Sequence, residues 1–137
     1  MASIRKEIVT SAPPETVWEI IRDLGALHTR LVPGFVVDTR LEPGARVVTF
    51  RNGMVVKEPI VAIDDESRRL VWSAEGVPMT HYNSSAQVFV EGGGSRVVWI
   101  ADFLPDTAAA TVGPMMQEGM VAMKKALDGL PNEAKSS

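Results

Sequence analysis

Residues 114–128, PMMQEGMVAMKKALD, decide the fold. Met116, Met120, Met123 and Leu127 recur at helical spacing and draw one apolar stripe. Gly129 and Pro131 supply the stop, because glycine tolerates a left-handed cap and proline cannot continue a helix. Upstream, from about residue 35 to 104, the chain reads as short strands. A helix with one apolar stripe that follows a run of strands must bury the stripe against their sheet.

Working outward, the Ala- and Thr-rich residues 106–113 predict one loose helical turn before Pro114, with a continuous helix kinked at Pro114 as the other reading. Gly119, inside the helix, costs about 1 kcal/mol against alanine. It marks either close approach to the sheet or a ligand, or a tolerated surface glycine. Strands are predicted over 35–42, 46–51, 54–64, 69–75, 80–90 and 96–104, separated by turn residues such as Pro43-Gly44, Asn52-Gly53 and Gly92-Gly93-Gly94. Residues 3–10 predict a first strand. Residues 11–25 predict a helix that Ser11 caps, with Pro14 and Glu15 in its first turn and Val17, Ile20, Ile21 and Leu24 inward. A second short helical piece or loop runs to Pro33-Gly34. The expected class is α+β: a curved antiparallel sheet of about seven strands around a long C-terminal helix, with two short helical pieces after strand one.

The 137 residues suit one domain, 1–130, followed by a flexible tail, 131–137. Hydrophobic residues at 45% and charged residues at 23% exclude a disordered chain. A net charge of −3 with no basic cluster argues against nucleic acid as a partner. No apolar run approaches the ~20 residues of a membrane span, and MASIRKEIVT has no apolar signal core. Cysteine is absent, which removes disulfides, thiol nucleophiles and thiolate metal sites. The expectation is a cytoplasmic protein, monomer or homodimer.

Strand alternation nominates the residues of an inner wall. Strand 35–42 places Phe35, Val37, Thr39 and Leu41 together. A two-residue turn at Asn52-Gly53 puts Val47, Thr49 and Arg51 beside Glu58, which shares its face with Met54, Val56, Ile60 and Ala62. Further on, Trp72, Tyr82, Ser84, Trp99 and Phe103 face the same way. An apolar wall with a few convergent polar groups is the make-up of a small-molecule site. A carboxylate there is costly unless paired or hydrated, and burial raises its pKa toward acid/base use. The alternative for Glu58 is a rim glutamate paired with lysine or arginine, with Arg51 one candidate. The two tryptophans suit stacking or plain core, and the methionine stripe suits core packing or a ligand roof.

Other chemistry fails on inspection. His28 and His81 are far apart with no metal-ligand spacing, so no metal is expected. Gly92-Gly93-Gly94-Ser95 lacks the lysine of a phosphate loop, no GxSxG elbow occurs, and Asp64-Asp65-Glu66 is a solvated turn. No cofactor is expected.

The order of elements, with APPETVWEIIRDLG (12–25), VKEPIVAIDDESRRLVWS (56–73) and RVVWIADFLP (96–105), resembles the SRPBCC superfamily. That group includes START domains, the major birch pollen allergen, plant abscisic-acid receptors and small bacterial polyketide cyclase/dehydrase-like proteins, the last being the nearest likeness. The resemblance implies a helix-grip fold with a cavity between sheet and last helix. Glu58, Tyr82 and Ser84 match positions that line the pocket of the abscisic-acid receptors; the gating loops do not match. The expected function is binding of a small hydrophobic or aromatic molecule, as carrier, sensor or transporter. The alternatives are a cofactor-free cyclase or dehydratase, in which Glu58 shuttles a proton and Tyr82 orients a carbonyl, and an interaction module with a filled core. The expected ligand-binding set is Val37, Thr49, Glu58, Trp72, Tyr82, Ser84, Trp99, Phe103, Met116 and Met120.

Overall fold

A computed structural model describes residues 1–131. Strand β1 (Ala2–Thr10) leads to helix α1 (Pro14–Arg22), a 3-10 turn (Leu24–Ala26) and a π-type turn (Leu27–Leu31). Strands β2 (Val36–Glu42), β3 (Ala45–Phe50), β4 (Val55–Asp64), β5 (Arg69–Ser73), β6 (His81–Glu91) and β7 (Gly94–Leu104) follow. A 3-10 turn (Asp106–Ala108) then feeds helix α2 (Ala109–Asp128). The expected tail, 131–137, lies outside the described residues beyond Pro131.

The seven strands form one sheet in the order β1-β7-β6-β5-β4-β3-β2, antiparallel throughout. Short turns make β2 to β7 a meander, and β1 returns to pair with β7. α2 lies against β1 and the π-type turn. Val112, Met116, Gly119, Met120, Met123 and Leu127 are its buried residues. The helix does not begin at a loose turn before Pro114: it runs unbroken through that residue. A proline there removes one hydrogen bond, to the carbonyl of Ala110. Ala110 is exposed, so water can serve that carbonyl.

Helix α1 buries Val17, Trp18, Ile20 and Ile21. Pro13, not Ser11, stands at its N-cap, in extended conformation and without a side-chain bond. Two consecutive prolines preset the chain for that start and carry no N–H to satisfy. The Trp18 indole and Arg22 both donate to one carboxylate oxygen of Asp65, each at 2.9 Å, which ties α1 to the β4–β5 turn. The turn is solvated as expected, and it also anchors a helix.

Two local departures in β2 and β3 rearrange the inner wall. Between Val36 and Asp38 the β2–β3 register shifts by one residue. Val37 is the inserted residue; it stands 51% exposed, while Val36 is buried opposite Phe50. The β3–β4 turn is also one residue longer than Asn52-Gly53 alone predicts. The Phe50 N–H donates to the Met54 carbonyl, and Arg51, Asn52 and Gly53 form the loop. Gly53 takes φ of +89°, the left-handed position of a three-residue hairpin. A one-residue change of register sends every side chain to the other face. Arg46, Val48 and Phe50 thus face inward, in place of Val47, Thr49 and Arg51, and Arg46 pairs with Glu58 across the strands.

Candidate ligand-binding site

A cavity of about 340 Å³ lies between the sheet, the π-type turn and α2. Ile21, Leu27, Leu31 and Val32 close one side, and Val56, Leu70, Trp72, Tyr82, Ala86 and Trp99 form the sheet wall. Val112, Met115 and Met123 come from α2. The partly exposed Phe35, Phe50, Met54, Val77 and Met79, together with the exposed Thr107 and Thr111, surround its open end. Phe35 and Phe50 meet edge to face there, with centroids 5.3 Å apart.

Among the expected residues, Glu58, Trp72, Tyr82 and Trp99 line this cavity. Val37 and Thr49 do not, for the register reasons above. Phe103 and Met116 are fully buried, and Met120 nearly so, in the packed core beside the cavity. Ser84 is buried behind the wall: its hydroxyl accepts the Trp99 indole N–H at 2.6 Å and donates to the Ile100 carbonyl at 3.2 Å. Ser84 therefore orients the Trp99 ring. Trp72 and Trp99 sit 6.3 Å apart and tilted by 40°. Gly119 is a close-approach glycine: a Cβ there would stand 2.8 Å from the Trp99 ring and 3.1 Å from Phe35.

Polar groups converge at one place on the wall. Arg46 Nε donates to Glu58 Oε1 at 2.9 Å, and both side chains are more than nine-tenths buried. The guanidinium carbon lies 5.4 Å from the centre of the Trp72 ring. Arg46, and not Arg51, is therefore the partner of Glu58, and the pair is internal rather than at the rim. Arg51 stands 70% exposed and meets Glu118 at 3.8 Å. Burial pushes the Glu58 carboxyl above its ordinary range, against the charge and hydrogen bond of Arg46. Burial likewise pushes the Tyr82 hydroxyl up to about 12; the Glu58 charge adds to this and the Ser84 hydrogen bond opposes it. Tyr82 thus stays protonated at neutral pH and can donate to a guest.

Arg46, Phe50 and Met115 are cavity residues that strand and helix periodicity do not nominate, whereas the π-type turn falls where a second short helical piece is expected. Glycine after Arg51-Asn52 was the available signal for Arg46, since it suits a three-residue turn as well as a two-residue one. His28 Nδ1 lies 3.1 Å from Thr39 Oγ1, and His81 is exposed. Among the described residues, no group of three His, Cys, Asp or Glu could hold a metal ion. None of their helices is long and apolar enough to cross a membrane.

The fold is shared with solved structures. The protein XoxI from Bacillus cereus superposes with a TM-score of 0.81 at 22% identity, covering 93% of this chain and 96% of that one. Ara h 8.0201 gives 0.70 at 19% identity over 92% and 97% of the two chains. The major latex-like protein 151 of Panax ginseng gives 0.74 at 16% identity over 95% and 98%. Such identities establish the helix-grip architecture and nothing finer. No curated protein matches the chain. Its sequence does match, over residues 1–134, the family described as polyketide cyclase / dehydrase and lipid transport. The chain therefore belongs to the polyketide cyclase/dehydrase and lipid transport family.

Proposed function

We propose that this protein binds a small hydrophobic or aromatic molecule in the cavity between the sheet and α2. The observation that carries the reading is the cavity itself: about 340 Å³, walled by aliphatic and aromatic side chains, with Arg46, Glu58 and Tyr82 as buried polar groups within it and Thr107 and Thr111 at its open end. That volume falls within the ~300–1,000 Å³ of ordinary small-molecule sites, and the mix of one polar cluster in an apolar wall is their usual composition. Trp72 and Trp99 offer flat surfaces for a ring system. The family's association with lipid transport and polyketides is consistent with guests of this kind. A filled interaction module fits less well, because the space between sheet and helix is open.

A cyclase or dehydratase would need Glu58 free to take or give a proton. Its hydrogen bond from Arg46 holds the carboxylate in an ion pair instead. Binding is therefore the reading that the geometry favours. Native mass spectrometry of the purified protein tests it: a bound hydrophobic species should be retained by the wild type and depleted in Trp72→Ala. Retention of the same species, in the same amount, by Trp72→Ala would remove the cavity as the binding site.

A further inference from the structure

The polar cluster of the cavity has an unusual balance. Arg46 uses only Nε toward Glu58, and its terminal nitrogens make no other hydrogen bond in the described protein. Glu58 likewise commits only Oε1. Yet among the described residues no buried side-chain nitrogen or oxygen lacks a hydrogen-bond partner. The uncommitted Arg46 nitrogens and Glu58 Oε2 are therefore not sealed in protein, and the cavity that both residues line is the space available to them. A guest meets guanidinium donors and a carboxylate acceptor side by side, with no net charge between them.

We propose that the cavity takes an uncharged ring molecule bearing a carbonyl acceptor next to an N–H or O–H donor, and rejects the anion of the same shape. This rests on the cavity reading above. The carbonyl of a carboxamide or hydroxy-ketone would accept from the Arg46 terminal nitrogens, and its neighbouring N–H or O–H would donate to Glu58 Oε2. A carboxylate would satisfy Arg46 only by facing the Glu58 carboxylate inside an apolar wall, where water does not screen the repulsion. A purely apolar guest would leave the pair's remaining donors and acceptor without water or partner, which costs free energy. Tyr82, held neutral, adds a donor without adding charge.

The test uses three probes of nearly equal size: 2-naphthamide, 2-naphthoate and 2-methylnaphthalene, titrated against the intact protein at pH 8 with tryptophan fluorescence as readout. Wild type should bind the amide about tenfold or more tightly than the carboxylate, the scale set by one unrelieved like-charge contact. Glu58→Gln removes the negative charge and keeps an acceptor for Arg46, so the carboxylate should overtake the amide. If that variant does not fold, the wild-type preference decides alone. Equal affinity for amide and carboxylate, or preference for the carboxylate, overturns the inference even if 2-methylnaphthalene binds. If none of the three probes binds, this inference and the cavity reading fall together.

Discussion

The two neighbouring faces of α2 meet different surroundings. One carries Met116, Met120 and Leu127, all essentially inaccessible, packed with Phe103 and Val97 in the solid core. The other carries Met115, Gly119 and Met123 at intervals of one helical turn. Met115 and Met123 border the cavity, while Gly119 between them admits the Trp99 ring. The residues of the filled face belong to the buried hydrophobic cluster of the core. The hollow face looks across at a buried ion pair. Filling contributes to the stability of the domain, and the unfilled side leaves the space proposed for a guest, so substitutions on the two faces should report different things.

The largest effect should come from the hollow side's ion pair. Glu58→Ala strands a buried guanidinium and should cost about 3–5 kcal/mol, measured by urea unfolding. The double variant Arg46→Met/Glu58→Leu removes both charges and should be neutral or more stable by about 1–4 kcal/mol. Such a result would identify the pair as a recognition element rather than a stabilising one. Next come the faces themselves. Met116→Ala should cost about 2–5 kcal/mol, because it opens a void in packed core. Met115→Ala already borders open space and should cost at most about 1 kcal/mol. Equal costs in the two variants would break the comparison.

The smallest effect is a pH slope. The folded-state pKa of Glu58 is raised, so the protein gains relative stability when this carboxyl is protonated. That contribution is fully present below the ordinary value of 4.5 and is lost as pH rises through the raised one. Wild type should therefore lose stability relative to Glu58→Gln as pH climbs from 4.5, and the difference should level off once Glu58 is ionised. A difference that grows as pH falls would give the shift the opposite sign.

Much of this was legible in the chain, and the rest was hidden for identifiable reasons. In β5, β6 and β7 regular alternation put Trp72, Tyr82, Trp99 and Phe103 on the inner face, where they are found. In β2 and β3 the same alternation failed. In β2 the inserted Val37 turns outward and leaves Val36 inward, while Thr39 and Leu41 keep the inner face that alternation gives them; in β3 the third loop residue, Arg51, reverses the parity of the whole strand. That reversal concealed Arg46, which the two-residue turn had pointed outward. Periodicity also marks α2 as buried but does not separate two stripes one residue apart, so it nominates Met116 and Met120 as ligand contacts where Met115 and Met123 border the cavity. A void leaves no trace in hydrophobic patterning, because wall and core use the same residues.

The space beside Met115 is the proposed binding site. Titration of wild type and Met115→Trp with 2-methylnaphthalene, followed by tryptophan fluorescence and checked by unfolding of both proteins, tests it most directly. Wild type should bind saturably and the variant should lose at least about tenfold in affinity, because its larger ring occupies the space while the filled face keeps the fold intact. Equal affinity in two folded proteins would contradict that assignment.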